Sequence, residues 1–89
     1  MRELRVSATT EPKKLAGAIV KTLKEDNRVQ VKAMGAQAVA QSVKGLIVAR
    51  VYLASEAKDL DITPAFDIRE DSDGAEITVI VFHVGLRSL

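Results

Sequence analysis

The side chains that most often carry out catalysis are sparse in this 89-residue sequence. Cysteine is absent, and the single histidine, His83, lies between apolar neighbours, which favours a packed or interface histidine over a pH-sensitive contact. Four carboxylates, Asp67, Glu70, Asp71 and Asp73, cluster around a predicted hairpin turn, where open water gives no means of separating their pKa values. With no nucleophile–base pair and no metal-ligand set, we expect neither an enzyme, nor a metal ion, nor a cofactor.

Lysines form the second group of functional candidates. Lys13 and Lys14 follow Pro12 at the start of a predicted helix, and Lys32 and Lys44 flank the turn before a second helix. Lysines near two helix N-termini can converge on phosphate groups and give a nucleic acid sequence-independent, salt-sensitive affinity. A solvated helix edge is an equally ordinary place for lysines, so the pattern alone leaves both interpretations open.

Gly35 opens the second predicted helix directly after a strand, where backbone N–H groups often hold phosphate. Neither a GxGxxG pattern nor a P-loop lysine motif accompanies it, so the sequence does not predict a nucleotide cofactor. Gly35 therefore has one of two roles: it lets a phosphate backbone contact the start of the helix, or it only allows a tight turn.

The charge is unevenly divided along the chain. Residues 1–50 hold 10 Lys+Arg and 4 Asp+Glu, a net +6, whereas residues 51–89 hold 3 Lys+Arg and 8 Asp+Glu, a net −5. Such a division can create a basic face for a polyanion. The alternative is that opposite charges interleave in the folded chain or meet across a subunit contact.

The elements that must position these residues follow from hydrophobic periodicity. Alternation predicts strands at 4–8, 29–33, 59–68 and 75–84, and helical spacing predicts helices that begin at Pro12 and after Gly35, the second running to about Ala54. The order β-α-β-α-β-β, with its first two strands parallel, indicates an α/β (two-layer α+β) domain. We expect a single domain over residues 1–89, with a mixed four-stranded sheet and two helices on one face.

Finer packing predictions follow for the two helices. Gly17 interrupts the apolar stripe of the first helix, which suggests a close approach by a neighbouring element. The alanines of the second helix suggest that it also packs closely. Its predicted buried stripe is Val39, Val43, Leu46 or Ile47, and Val51.

The last two strands carry their own signals. Pro64 indicates an edge strand or a bulge, and the segment Asp71–Gly74 indicates a hairpin turn. The last strand is apolar on both faces: Ile77, Val79 and Val81 on one, and Ile80, Phe82 and Val84 on the other. Because helices on one side of the sheet would leave one of these two apolar faces exposed to solvent, we expect a partner subunit to bury that face.

Composition sets the remaining bounds. Hydrophobic residues make up 47% and aromatic residues 3% of the chain, so aliphatic packing must form a thin core that self-association would supplement. The N-terminal residues lack the apolar region of a signal peptide, and no apolar stretch is long enough to span a membrane. We expect a cytoplasmic protein, with nucleoid association if it binds DNA.

Three segments resemble the bacterial stage V sporulation protein S family. They are "RVSATTEPKKLAGAIV", "VKAMGAQAVAQSVKGLIVARVYLA" and "DLDITPAF", and together they cover roughly residues 4–68. That family is similar in turn to Alba, the archaeal chromatin protein. The resemblance implies an Alba-like fold and homodimers, or higher homo-oligomers, that bind DNA or RNA, in a regulatory role during sporulation.

The resemblance also implies a site. The Alba-like lysine pair falls on Lys13 and Lys14, and the basic turn falls on residues 34–36, where this chain has no arginine. A lysine of the second helix is replaced by Gln41, and the hairpin is acidic apart from Arg69. The expected nucleic-acid-binding residues are Lys13, Lys14, Lys32, Gly35, Gln37, Gln41 and Lys44. They suit weaker, single-stranded or RNA-directed contact; the alternative is a protein-interaction module that has lost nucleic-acid binding.

Overall fold

The computed structural model describes residues 2–89. Its elements are β1 (Arg2–Val6), α1 (Pro12–Asp26), β2 (Arg28–Ala33), α2 (Ala36–Ala54), β3 (Lys58–Glu70) and β4 (Glu76–Ser88). The strands form one sheet in the order β1-β2-β4-β3, in which β1 and β2 are parallel and the other two pairings are antiparallel. The predicted fold class and element order are confirmed.

The helix ends follow the local sequence. Pro12 occupies the first turn of α1, where its missing N–H is not needed. Asn27 ends the helix in the left-handed conformation at φ 60°, and its N–H donates to the main-chain oxygen of Leu23 at 2.9 Å. Gly35 precedes α2 at φ 93°, a conformation that L side chains rarely adopt, which accounts for glycine at that turn.

The core lies between the two helices and one face of the sheet. The inward residues of β2, Val29, Val31 and Ala33, are almost fully buried. They join the inward side chains of both helices, among them Ile19 and Leu53, in one aliphatic cluster. Both helices therefore cover the same face of the sheet, and the opposite face, which we call the open face, has no helix layer.

The predicted buried stripe of α2 is right for Val39 and Leu46 and wrong for Val43 and Val51. Val43, Ile47 and Val51 are 42%, 54% and 66% exposed. The buried side instead consists of Ala38, Ser42, Gly45, Leu46, Ala49 and Leu53. A Cβ built on Gly45 would lie 2.6 Å from Leu15 Cδ2, so this small-residue side brings α2 close to α1.

Gly17 does not have the role predicted for it. It is exposed, and a Cβ added there would meet no atom within 4 Å. The close approach between helices is made at Gly45 instead.

The β3–β4 hairpin extends beyond the rest of the sheet. β2 pairs with β4 only as far as Ala33↔Ile80, whereas β3 and β4 remain paired to Glu70↔Glu76. Residues 67–79 thus form a projecting arm. Pro64 lies in β3, the edge strand, as predicted, and the pairing runs past it without a bulge.

The open face of β4 is partly covered by the chain itself. Lys32 is the register partner of Val81 and lies on the same face, with its ammonium 3.9 Å from Asp67 on β3. Val81 is 4% exposed within the single chain, so it needs no partner for burial, whereas the burial of the rest of this face by a second subunit stays a prediction. Ile77 and Val79, farther along the arm, are half-buried.

Within residues 2–89, neither helix combines the length and the hydropathy required to cross a membrane.

Candidate nucleic-acid interface

Both helices begin at the same end of the sheet, the end at which β1 and β2 finish. β1 and β2 are parallel and paired from Arg2↔Val29 to Val6↔Ala33, so the segments that follow them leave the sheet side by side. Residues 7–11 lead into α1, and residues 34–35 lead into α2. The topology therefore brings the two helix starts together at one end of the sheet.

A hydrogen bond joins these helix starts. Gln41, in the second turn of α2, donates from Nε2 to the main-chain oxygen of Thr10, 2.8 Å away. The Lys44 ammonium lies 3.4 Å from Gln41 Oε1. Gln41 is thus fixed against the loop before α1, with Lys44 beside it. Sequence reasoning missed Thr10, because a main-chain acceptor carries no signal in the side-chain pattern.

Lys13 and Lys14 are exposed in the first turn of α1. Lys14 lies 3.7 Å from the carboxylate three residues before it, and its side chain is 82% exposed, so the ammonium stays available to solvent. Leu15, the next residue, contacts the position of Gly45, which directly follows Lys44. Lys14 and Lys44 are each one residue away from this helix–helix contact.

The start of α2 leaves backbone donors free of side-chain partners. Gly35 has open space around its Cα, and Gln37 is exposed in the first turn. Neither helix has a side-chain hydrogen bond at its N-cap or an acidic residue in its first turn. The first N–H groups of both helices therefore face solvent with the positive end of the helix dipole.

Lys32 does not join the other predicted site residues. Its neighbours Val31 and Ala33 point to the helices, so Lys32 points to the open face. There its ammonium contacts Glu3 and lies 3.9 Å from Asp67. The hydrogen bond from this ammonium lowers the pKa of Glu3 below its ordinary value. Only 13% of the Lys32 side chain is exposed, because it is held in this ion-pair network.

The acidic hairpin tip forms a turn in water, as predicted. Asp71 Oδ1 accepts hydrogen bonds from the N–H groups of Asp73 and Ala75, both at 2.9 Å, and Gly74 takes a positive φ of 79°. Every residue from 70 to 76 is exposed. In the described part of the chain, no group of three or more His or acidic side chains is arranged to hold a metal ion.

His83 lies on the open face and is half-buried. Its register partners are Gln30 on β2 and Thr63 on β3, so its cross-strand neighbours are polar although its sequence neighbours are apolar. It lines a polar hollow of about 330 Å³ together with Arg28 and Asp61.

Opposite charges from the two halves of the chain interleave. Lys24 contacts Glu56, Lys32 contacts Asp67, and Arg50 contacts Asp59. These pairs partly neutralise the basic first half. Lys13 and Lys44 have no carboxylate within ion-pair distance among residues 2–89, so positive charge remains at the helix starts.

The model of the stage V sporulation protein S family matches residues 2–87, nearly the whole chain. The chain belongs to this family. Among solved structures, the chain is similar to Alba from Thermoplasma volcanium, with 14% identity, a TM-score of 0.63, and coverage of 93% of this chain and 98% of that chain. At this identity the likeness shows the fold alone. This member of the sporulation protein S family therefore has an Alba-like β-α-β-α-β-β fold.

Proposed function

We propose that this chain is a non-enzymatic, nucleic-acid-binding regulatory protein of the stage V sporulation protein S type. Its binding surface is formed by the two helix starts, which we call the helix-start surface. The surface consists of Lys13, Lys14, Gly35, Gln37, Gln41 and Lys44. The observation that carries the proposal is the Gln41–Thr10 hydrogen bond, because it joins the two turns into one continuous surface.

The chemistry of this surface suits phosphate. Exposed ammonium groups and uncapped helix N–H groups point into solvent at one end of the sheet, and both favour anions. Each chain contributes three lysines, which predicts a slope of log K against log salt of about −2 for every chain that contacts a single strand, at about −0.7 per neutralised phosphate. Lys32 is not included, because its ammonium already contacts Glu3 and Asp67.

The acidic residues of the arm make it unsuited to binding in a groove of duplex DNA. Glu70, Asp71, Asp73 and Glu76 surround its exposed tip, and Arg69 is already paired with Asp67. Carboxylates repel a phosphate backbone, so the arm would not follow a groove. This favours a single strand held near the helix starts and the sheet end over a duplex held in the grip of the arm.

We further propose that the protein acts as a homodimer or a larger homo-oligomer in the cytoplasm. The exposed aliphatic stripe of α2, Val43, Ile47 and Val51, is the surface that a second copy would cover, together with Phe66 on β3. A contiguous apolar patch of this kind marks an interaction site. The same stripe would serve a partner protein if the scaffold has lost its nucleic-acid ligand.

The direct test is the double variant Lys13→Glu/Lys14→Glu, measured for binding to single-stranded and duplex DNA and RNA over a salt series. We expect affinity to fall at least tenfold at low salt, because two phosphate contacts become repulsive. The matched control is Lys21→Glu/Arg28→Glu, which makes the same charge change at two exposed positions away from the helix starts.

Affinity retained in the Lys13/Lys14 variant, or lost equally in the control, would contradict the proposed surface. Failure of the wild-type protein to bind any of the four nucleic acids at low salt, combined with co-purification of one specific protein, would favour the interaction module instead. Circular dichroism of both variants checks that each remains folded.

A further inference from the structure

A crevice opens where the arm leaves the sheet. Its volume is about 350 Å³, and its lining consists of Arg5, Val6, Lys32, Ala33, Met34, Arg69, Glu70, Ile77 and Val79. The ends of β1 and β2 form one wall, and the arm forms the other. The crevice exists because β4 continues past its last β2 partner, Ile80, while β2 stops at Ala33.

The crevice combines an apolar interior with a charged rim of three cationic side chains and one carboxylate, Glu70. The Lys32 ammonium on this rim is already paired with Glu3 and Asp67. Met34, Ile77 and Val79 provide aliphatic and thioether surface, and Met34 is 60% exposed. Arg5 has no carboxylate within ion-pair distance among residues 2–89, whereas Arg69 lies 3.0 Å from Asp67. Positive charge beside apolar surface suits a ligand that is anionic at one end and flat and apolar at the other.

The arm also offers hydrogen-bonding groups from its backbone. Between Glu76 and Val79, β4 pairs with β3 on one side, and within the described residues no strand pairs with its other side. That edge presents the unpaired N–H and C=O groups of an edge strand toward the crevice. Such groups can bond to the edges of a nucleobase, and guanidinium and methionine side chains contact its face.

We propose that this crevice holds one unpaired nucleotide of a single-stranded nucleic acid. The phosphate lies at Arg5, and the base lies against Met34, Ile77 and Val79. A pocket of about 350 Å³ is at the small end of the ligand-site range, which fits one nucleotide and excludes a stacked base pair. This inference rests on the proposed function, because Met34 adjoins Gly35 and so places the crevice next to the helix-start surface.

The experiment compares a mixed-sequence 12-nucleotide single strand with its duplex, using methyl-labelled protein and NMR. We expect the single strand to shift the methyl signals of Met34, Ile77 and Val79, and the duplex to leave them unchanged. The double variant Arg5→Gln/Met34→Ala should weaken single-strand binding about tenfold, because it removes a cation from the phosphate and apolar surface from the base, and should change duplex binding less than about twofold. The matched control, Arg28→Gln/Leu89→Ala, removes one charge and one exposed apolar side chain elsewhere.

The outcomes separate this inference from the proposed function. If both nucleic acids bind, the crevice methyl signals stay fixed and the crevice variant loses nothing, then the crevice is not a nucleotide site and the helix-start surface still stands. If Lys13→Glu/Lys14→Glu keeps single-strand binding while Arg5→Gln/Met34→Ala loses it, then the crevice is the site and the helix-start surface is not. If neither nucleic acid binds the wild-type protein at low salt, both proposals fail.

Discussion

Asp59 connects three elements through one carboxylate. Its side chain receives a bidentate contact from Arg50 of α2, with Nε 2.8 Å from Oδ1 and Nη2 3.1 Å from Oδ2. Arg87 of β4 approaches Oδ2 at 3.4 Å, and the N–H of Leu60 donates to Oδ1 at 2.7 Å. Asp59 is 7% exposed, so its buried charge depends on these hydrogen bonds for stabilisation. Through them, the second half of α2 is fixed to the β3–β4 hairpin.

This arrangement predicts a particular dependence of stability on pH. The hydrogen bond from Arg50, followed by that from the Leu60 N–H, lowers the pKa of Asp59 from 3.8 to about 2. Because the folded pKa lies below the unfolded value, the stabilisation is fully present above about pH 4 and is lost as the pH falls toward 2. We expect Asp59→Asn to unfold several degrees lower at pH 7 and to show a flatter stability curve between pH 4 and pH 2.

Thermal unfolding at a series of pH values measures this effect. Asp61→Asn is the matched control, because Asp61 is exposed on the same strand and takes part in no ion pair among the described residues. A curve for Asp59→Asn that runs parallel to the wild type through acid would contradict the role assigned to this carboxylate.

At the scale of the elements, the fold was predictable and the orientation of α2 was not. Alternation and helical spacing give the element order, because both periods are visible in the sequence. The alanines of α2 predict close packing, but they lie on several sides of the helix. Sequence hydropathy then favours a buried stripe of Val39, Val43, Leu46 or Ile47, and Val51. The structure instead buries the side that carries Gly45, Leu46 and Ala49, so that Gly45 lies against Leu15. It leaves Val43, Ile47 and Val51 exposed.

The layout of the candidate site was predictable to a similar extent. The turn residues Lys13, Lys14 and Gly35 are recognisable because proline, lysine and glycine mark helix starts in the sequence. The separation of Lys32 was readable as well, because it alternates with Val31 and Ala33, which must face the helices. The crevice was not, because it depends on how far the β3–β4 pairing extends beyond the end of β2, a property of strand register that no short sequence motif specifies.

The two helical glycines give a direct test of this packing. Gly17→Ala should raise the free energy of unfolding by about 0.5–1 kcal/mol, because a methyl there meets no atom and alanine favours the helix. Gly45→Ala should lower it, because the overpacking cost of about 1–3 kcal/mol against Leu15 exceeds the helix gain. Urea unfolding of the two variants provides the comparison, and equal stabilisation by both would mean that α1 and α2 are less closely packed than described.

At the scale of the whole molecule, the chain is elongated and carries its exposed apolar surface on one side of α2 and on β3. Its extents are 47 × 23 × 17 Å, with the arm projecting beyond the sheet. Among residues 2–89, eight large hydrophobic residues are exposed, of which four lie on α2 and two on β3. A chain of this size with a core of mainly aliphatic residues has a small free energy of unfolding. Covering this surface with a second copy would add burial where the single chain lacks it.

If two copies assemble through α2, the mass of the particle and the salt dependence of nucleic-acid binding should change together. Ile47, in the middle of the exposed stripe, is 54% exposed, so Ile47→Glu removes no core contact but places a charge where a second copy would pack. We expect light scattering to give at least twice the 9.6 kDa chain mass for the wild type and a single-chain mass for Ile47→Glu. Leu89→Glu, at an apolar position outside the stripe that is 74% exposed, should keep the wild-type mass. A dimer offers two helix-start surfaces to one strand. The slope of log K against log salt should therefore be about −4 for the dimer and about −2 for Ile47→Glu. A wild-type protein that is monomeric at micromolar concentration, or a variant that keeps both its mass and its salt slope, would show that α2 is not the assembly surface.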